Sequence, residues 1–142
     1  MSSDFNGAKL AILTSDSIVT ILRDDKPGIP WPGHWDLPGG AREGIETPQQ
    51  CVLREVKEEL GLTLSNDDLH YGVPAVSPKG KVWFFVTKHK EFDQNRVTFG
   101  NEGQTWKLAK LDWFLRQPRV IPHHIRELNR YFKAQLPPVS PG

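Results

Sequence analysis

Three glutamates, Glu55, Glu58 and Glu59, stand three and four residues apart in the run CVLREVKEELGL. At 3.6 residues per turn, that spacing gathers them on one side of a helix. Like charges so placed repel by roughly 0.2–0.5 kcal/mol per pair. They also occupy the second half of the helix, where the backbone dipole favours cations. A solvated acidic face is the ordinary outcome for a Glu-rich helix, and Arg54, one turn before Glu58, is consistent with it. Here, however, the cluster opposes two local rules at once, and Pro38-Gly39-Gly40 stands just ahead of it. Sequences that break local rules without local compensation tend to do so at functional sites. A divalent cation would supply the compensation. Magnesium takes six hard oxygens, commonly one or two carboxylates with waters and substrate phosphates. Zinc would favour His or Cys partners, and the adjacent pair His123-His124 is not spaced to serve, reading instead as surface or substrate-pocket residues that open a helix. The substrate that suits such a site is a phosphoanhydride, whose attacking water a carboxylate activates.

The elements that must position these groups are written nearby. Thr47 is the N-cap, Pro48 the first helical residue, and Gln50 closes a T-x-x-Q capping box. Gly61 ends the helix in the left-handed conformation. Val52, Leu53, Val56 and Leu60 form an apolar stripe that packs on a sheet, and Cys51 is a small packing residue. Residues 9–13 and Ser17–Leu22 read as a first hairpin about Thr14-Ser15-Asp16. The run RDDKPGIPWPG is loop. Its Trp31, and Trp35 just beyond, either stack on a nucleotide base or close the edge of the core. Residues 34–37 form a short strand leading to a Gly39-Gly40 turn, where missing side chains let backbone groups approach a ligand. Further strands are expected over residues 69–76, 81–88, 96–99 and 105–108. The apolar run Trp83–Val86 implies cover on both faces. A helical turn at 111–115 precedes a second true helix, Pro122–Gln135, with Ile125, Leu128, Tyr131, Phe132 and Leu136 facing inward.

Gly40, Glu46 and the block Arg54-Glu55-Val56-Lys57-Glu58-Glu59-Leu60-Gly61-Leu62 fit every fixed position of the Nudix box. The chain thus resembles the small MutT-like members of the Nudix hydrolase family. The resemblance implies an α/β/α sandwich, with a mixed sheet between the box helix and the C-terminal helix. It implies hydrolysis of a nucleoside diphosphate linked to another moiety, with Mg2+, or Mn2+, as cofactor. The favoured substrate is a (d)NTP, giving a (d)NMP and pyrophosphate. Carried over by position, Gly40, Glu55, Glu58 and Glu59 bind metal. Glu102, in the loop Gly100-Asn101-Glu102-Gly103-Gln104, is a further ligand. Glu55 or Glu102 takes the water proton. Arg54 joins the catalytic set by orienting Glu55, and Glu46 is structural, its ion pair with Arg54 holding the loop. Gly39, Trp31 and Trp35 are the substrate-binding candidates. MutT-type relatives read an oxidised guanine partly through an asparagine near the start of the last helix, where this chain has Ile121. Other readings remain open: an ADP-ribose or nucleotide-sugar pyrophosphatase, an enzyme of RNA 5′ ends, or a non-catalytic nucleotide-binding module.

Length and composition frame these expectations. A chain of 142 residues fits a single domain, expected over 1–136, with a disordered tail at 137–142. A net charge of +1 gives no electrostatic reason for binding nucleic acid or an anionic membrane. The single cysteine excludes an internal disulfide and suits a reducing compartment. With no apolar run long enough to span a bilayer, and a polar opening unlike a signal peptide, the cytoplasm is the expected location. The partner expected is a nucleotide substrate, and a homodimer is compatible with all of this.

Overall fold

The structure, a computed structural model, describes residues 4–135. Strands β1 (Gly7–Leu13) and β2 (Ser17–Leu22) open the fold, joined by a turn in which the Thr14 amide donates to the Ser17 carbonyl at 2.9 Å. Their register places Leu13 opposite Ile18. Beyond that point the facing edges part. β3 (Trp35–Asp36) pairs with the far end of β2, and β4 (Gly39–Ala41) pairs with the near end of β1. The segment 35–41 therefore fills the gap between two splayed strands. Everything in the candidate site is hung on this gap.

The glycine pair expected as a turn is instead strand β4, with Gly39 opposite Lys9 and Gly40 opposite Ala8. The fit explains the residue type. Gly39 has φ +133°, and a side chain there would run into the Ala8 carbonyl.

Helix α1 (Pro48–Leu60) begins and ends as its sequence demands. The Thr47 hydroxyl accepts from the Gln50 amide, the Gln50 side chain accepts from the Thr47 amide, and Gly61 closes the helix at φ 67°. Val52, Val56 and Leu60 are buried against Leu10, Ile12, Val19 and Phe85 on one face of the sheet. Cys51 is also fully buried, with its sulfur 3.7 Å from the Gly40 carbonyl.

Strands β5 (Tyr71–Ser77) and β6 (Gly80–Lys88) extend the sheet. β6 lies parallel to β1 and antiparallel to β5, so the sheet is mixed. Phe84 and Val86 point to one core and Phe85 to the other, as the unbroken apolar run requires. β7 (Thr105–Lys110) pairs along all of β2. Helices α2 (Leu111–Arg116) and α3 (Pro122–Gln135) cover the second face, where Phe114, Leu128 and Tyr131 meet Ala11, Ile18 and Phe84. Ile125 and Phe132 pack at the edge of the same cluster. The result is an α/β/α sandwich.

One expected strand is absent among the described residues. Residues 96–99 follow a 3₁₀ turn (Gln94–Arg96) and join no ladder. Their amides have another use: Thr98 donates to the Leu60 carbonyl at 2.9 Å, and Gly100 to the Glu59 carbonyl at 2.8 Å. The last carbonyls of a helix need donors, and this segment supplies them. Leu136 and the expected tail lie outside the described residues.

Candidate functional site

A cavity of about 590 Å³ lies over the gap between β1 and β2. Glu55, Glu59 and Glu102 line it together with the backbone of Gly39 and Gly40. Glu59 accepts the Gly39 amide at 2.7 Å. Burial, with Glu55 and Asp36 nearby, pushes its carboxyl up to about 8, despite Lys9 and that amide. Glu55 lies so close over Gly40 that a methyl group there would overlap its carboxylate. Its pKa is also raised, first by burial and then by Glu58 and Glu102, with Arg54 opposing. Glu55 and Glu102 line the same cavity from different elements. The Glu102 loop is tied at both ends, by Gly100 to α1 and by the Gln104 amide to the Leu22 carbonyl at 2.8 Å.

Of the three helix glutamates, Glu55 and Glu59 line the cavity. Glu58 turns outward and accepts from Arg54 Nη1 at 2.7 Å, and it does not line the cavity. Among the described residues no three carboxylate, histidine or cysteine side chains form a ready cage for an ion. Two of the three helix carboxylates have taken separate donors, Glu58 the guanidinium and Glu59 a backbone amide.

Arg54 is the organising cation. It grips Glu46 through two nitrogens, at 2.6 and 3.0 Å, and donates to the Ala41 carbonyl at 2.9 Å. Glu43 and Glu55 lie 3.0 and 3.5 Å from Nη1. The guanidinium is held above its ordinary pKa, chiefly by the Glu46 hydrogen bonds. A planar fork is needed to reach these partners at once, and an ammonium cannot replace it. Arg54→Lys is therefore expected to keep the fold and lower kcat by about 10–100-fold with little change in KM, in steady-state kinetics. An unchanged kcat would remove Arg54 from the site.

Beside these acids stands a second set of residues, of which sequence reasoning picked out only His124 and missed Asp36, Lys9 and Arg23. Asp36 is buried, and its carboxylate collects Lys9 at 3.1 Å, Arg23 at 3.2 Å, the Leu37 amide at 2.7 Å and His124 at 2.6 Å. Burial opposes its ionisation, but Lys9 and His124 outweigh that and hold the carboxyl well below the usual carboxylate range. Lys9 also donates to the Leu37 and Gly39 carbonyls, at 3.2 and 3.3 Å. It thereby ties down the Leu37–Pro38 and Gly39–Gly40 peptides. The available signal was a charged residue inside each of two otherwise apolar runs, KLAIL and WDL.

The tryptophans separate. Trp31 lines the cavity, with φ 51° and its ring 6.4 Å from that of His123. Trp35 does not line it. Its ring meets Trp113 edge-on at 5.4 Å, with Lys107 over both, on the packed side of the second core. Ile121 is buried and lines the cavity. Both histidines reach it too, burial pushing His123 down to about 4 and leaving its ring neutral at pH 7.

The family model of the NUDIX domain matches residues 6–131. The chain belongs to the Nudix family. Among curated relatives, this Nudix chain is 48% identical over 61 residues to an 8-oxo-dGTP diphosphatase of Proteus vulgaris, covering 41% of the chain and 54% of the relative. It spans about half, or less, of the length of the curated relatives it matches. In fold it is similar to a MutT protein of Methanosarcina mazei, with TM-score 0.72, 20% identity and coverage of 94% and 97% of the two chains. It is likewise similar to a bifunctional NMN adenylyltransferase/ADP ribose pyrophosphatase of Francisella tularensis complexed with AMP and Mn ion. There the TM-score is 0.76 at 18% identity, covering 94% of this chain and 42% of that one. Nudix hydrolases generally use divalent metals. The residues present fit one: hard carboxylate oxygens stand against a glycine backbone that leaves no room for a side chain. Among the described residues no helix is long and apolar enough to cross a membrane.

Proposed function

We propose that this Nudix chain hydrolyses a phosphoanhydride bond in a nucleoside diphosphate linked to another moiety, with a (d)NTP as preferred substrate and a (d)NMP and pyrophosphate as products. The observation that supports this is the meeting, in one cavity, of three carboxylates with a glycine backbone at one end and an apolar, aromatic wall at the other. Glu55, Glu59 and Glu102, with the Gly40 carbonyl, would hold Mg2+, or Mn2+, and Glu58 would join them on leaving Arg54. The ion, when bound, supplies neutralisation of the phosphate oxygens. The chain's own groups do the rest. Glu55 or Glu102 takes the proton of the attacking water as its oxygen bonds to phosphorus and the bridging P–O bond breaks. The electron pair of that bond leaves on pyrophosphate. Gly40, without a side chain, lets Glu55 lie against the backbone, and Gly39 beside it holds Glu59 through its amide. Arg54, anchored by Glu46, keeps Glu55 aimed.

The test is release of phosphate and pyrophosphate from a panel of nucleoside triphosphates, ADP-ribose and capped RNA, with and without magnesium. Magnesium-dependent formation of monophosphate and pyrophosphate from one or more triphosphates is expected. No turnover of any of them by the folded protein would leave a nucleotide-binding module instead.

A further inference from the structure

The Asp36 network leaves one valence open. An ammonium has three donors and a carboxylate roughly four acceptor sites. All three protons of Lys9 are used, on Asp36 Oδ2 and on the Leu37 and Gly39 carbonyls. Asp36 is equally full, with His124 and the Leu37 amide on Oδ1 and with Lys9 and Arg23 on Oδ2. Neither has anything left for a ligand, although both line the cavity. Lys9 is thus a clamp on the β3–β4 segment rather than a phosphate hook.

His124 differs. An ionised carboxylate only accepts, so Nε2 of His124 carries the proton it gives to Asp36. Burial holds the ring below its ordinary pKa and therefore neutral, which leaves a bare lone pair on Nδ1. Nδ1 makes no hydrogen bond among the described residues. Nor is it sealed in, since the one buried, unpartnered side-chain nitrogen among them is His89 Nε2. Its access is the cavity that His124 lines. The next group on the same wall, Glu127, is also an acceptor, held by Arg126 at 3.0 Å and Arg130 at 3.3 Å. Phosphate oxygens are themselves acceptors and cannot satisfy His124 Nδ1. A nucleobase amino group can.

We propose that His124 is a specificity-determining residue, whose Nδ1 accepts a hydrogen bond from an exocyclic amino group of the substrate's base. Asp36, Lys9 and Arg23 serve it by fixing one tautomer and one ring orientation. The inference rests on the hydrolase reading above and adds the class of nucleoside. A site built to accept from a donor rejects the analogue that lacks it, because the buried acceptor is then left unpaired.

The experiment compares kcat/KM for dGTP with dITP, which lacks only the 2-amino group, and for dATP with the 6-unsubstituted purine nucleotide. GTP against dGTP reports the sugar hydroxyl separately. The wild-type protein is expected to favour the amino-bearing member of one base pair by at least about tenfold. His124→Phe is expected to bring that ratio to within about twofold of unity, and His124→Gln, which keeps an acceptor, to restore part of it. A ratio that persists in folded His124→Phe overturns the proposal, as does a change confined to GTP against dGTP. Should the Phe variant not fold, ¹⁵N NMR of the wild-type protein decides. The His124 Nδ1 resonance must move on binding a non-hydrolysable dGTP analogue and not its deoxyinosine counterpart. That measurement also separates the two ideas, since absence of turnover would remove the hydrolase reading while base recognition was still read directly.

Discussion

Glu59→Gln is expected to lower kcat by about 10²–10⁴ while making the metal-free protein more stable at alkaline pH. The two halves share one cause. Glu59 is packed where a charge is unwelcome, so its carboxyl titrates near 8 in the folded chain against an ordinary 4.5. The native state therefore binds this proton more tightly than the unfolded chain does. Where the folded form holds more protons, stability falls as pH rises. The loss runs between about pH 4.5 and 8 and amounts to a few kcal/mol. Glutamine keeps an oxygen for the Gly39 amide and has no proton to lose. Melting of both proteins in a chelator should give similar midpoints near about pH 4 and a higher midpoint for the variant above about pH 8. With magnesium added, only the wild-type protein should gain strongly. A variant that melts lower at alkaline pH without metal would contradict this account of the acidic helix.

Asp36→Ala is the substitution expected to harm the fold most. It removes the anion to which Lys9, Arg23 and His124 all point, and leaves them facing one another. Breaking a buried ion pair by removing one partner costs about 3–5 kcal/mol. The lower figure applies here, because Lys9 and Arg23 retain contact with the cavity. In a chain of this size about 3 kcal/mol lowers Tm by roughly 10 °C. The pH dependence has the opposite sign to that of Glu59. The Asp36 carboxyl is held below its ordinary pKa of 3.8, so its contribution is complete above that value and fades as pH falls below it. The gap in Tm between wild type and variant should accordingly narrow in strong acid. A Tm within about 2 °C of wild type at neutral pH would show that the network is worth little.

Much of the scaffold could be read from the chain because local chemistry and tertiary demand agree there. The capping box at Thr47 and Gln50, the left-handed Gly61 and the stripe of Val52, Val56 and Leu60 each act within one helix. What escaped depends on partners far apart in the chain. Residues 96–99 carry strand-like types, and only the helix end beside them decides that the Thr98 amide caps Leu60, as that of Gly100 caps Glu59. Trp31 and Trp35 are four residues apart and indistinguishable by type, yet one faces the cavity and the other Trp113. Asp36 and His124 lie 88 positions apart, and no periodicity links them. The helix spacing brought Glu55, Glu58 and Glu59 to one side, but not the outward swing of Glu58 that Arg54 imposes.

The amides of Thr98 and Gly100 that finish the helix have a further bearing on how this site can be altered or moved. Gly100 rests so tightly on the Glu58 carbonyl that a methyl group would collide with it, and Glu102 follows two residues later. The end of the acidic helix and the loop that carries Glu102, two remote stretches of chain, are thus tied to each other. A graft of the 23-residue signature onto another sheet would arrive with its final carbonyls bare. The signature and residues 98–104 are expected to move as one piece, since the first relies on the second for the donors that close its helix.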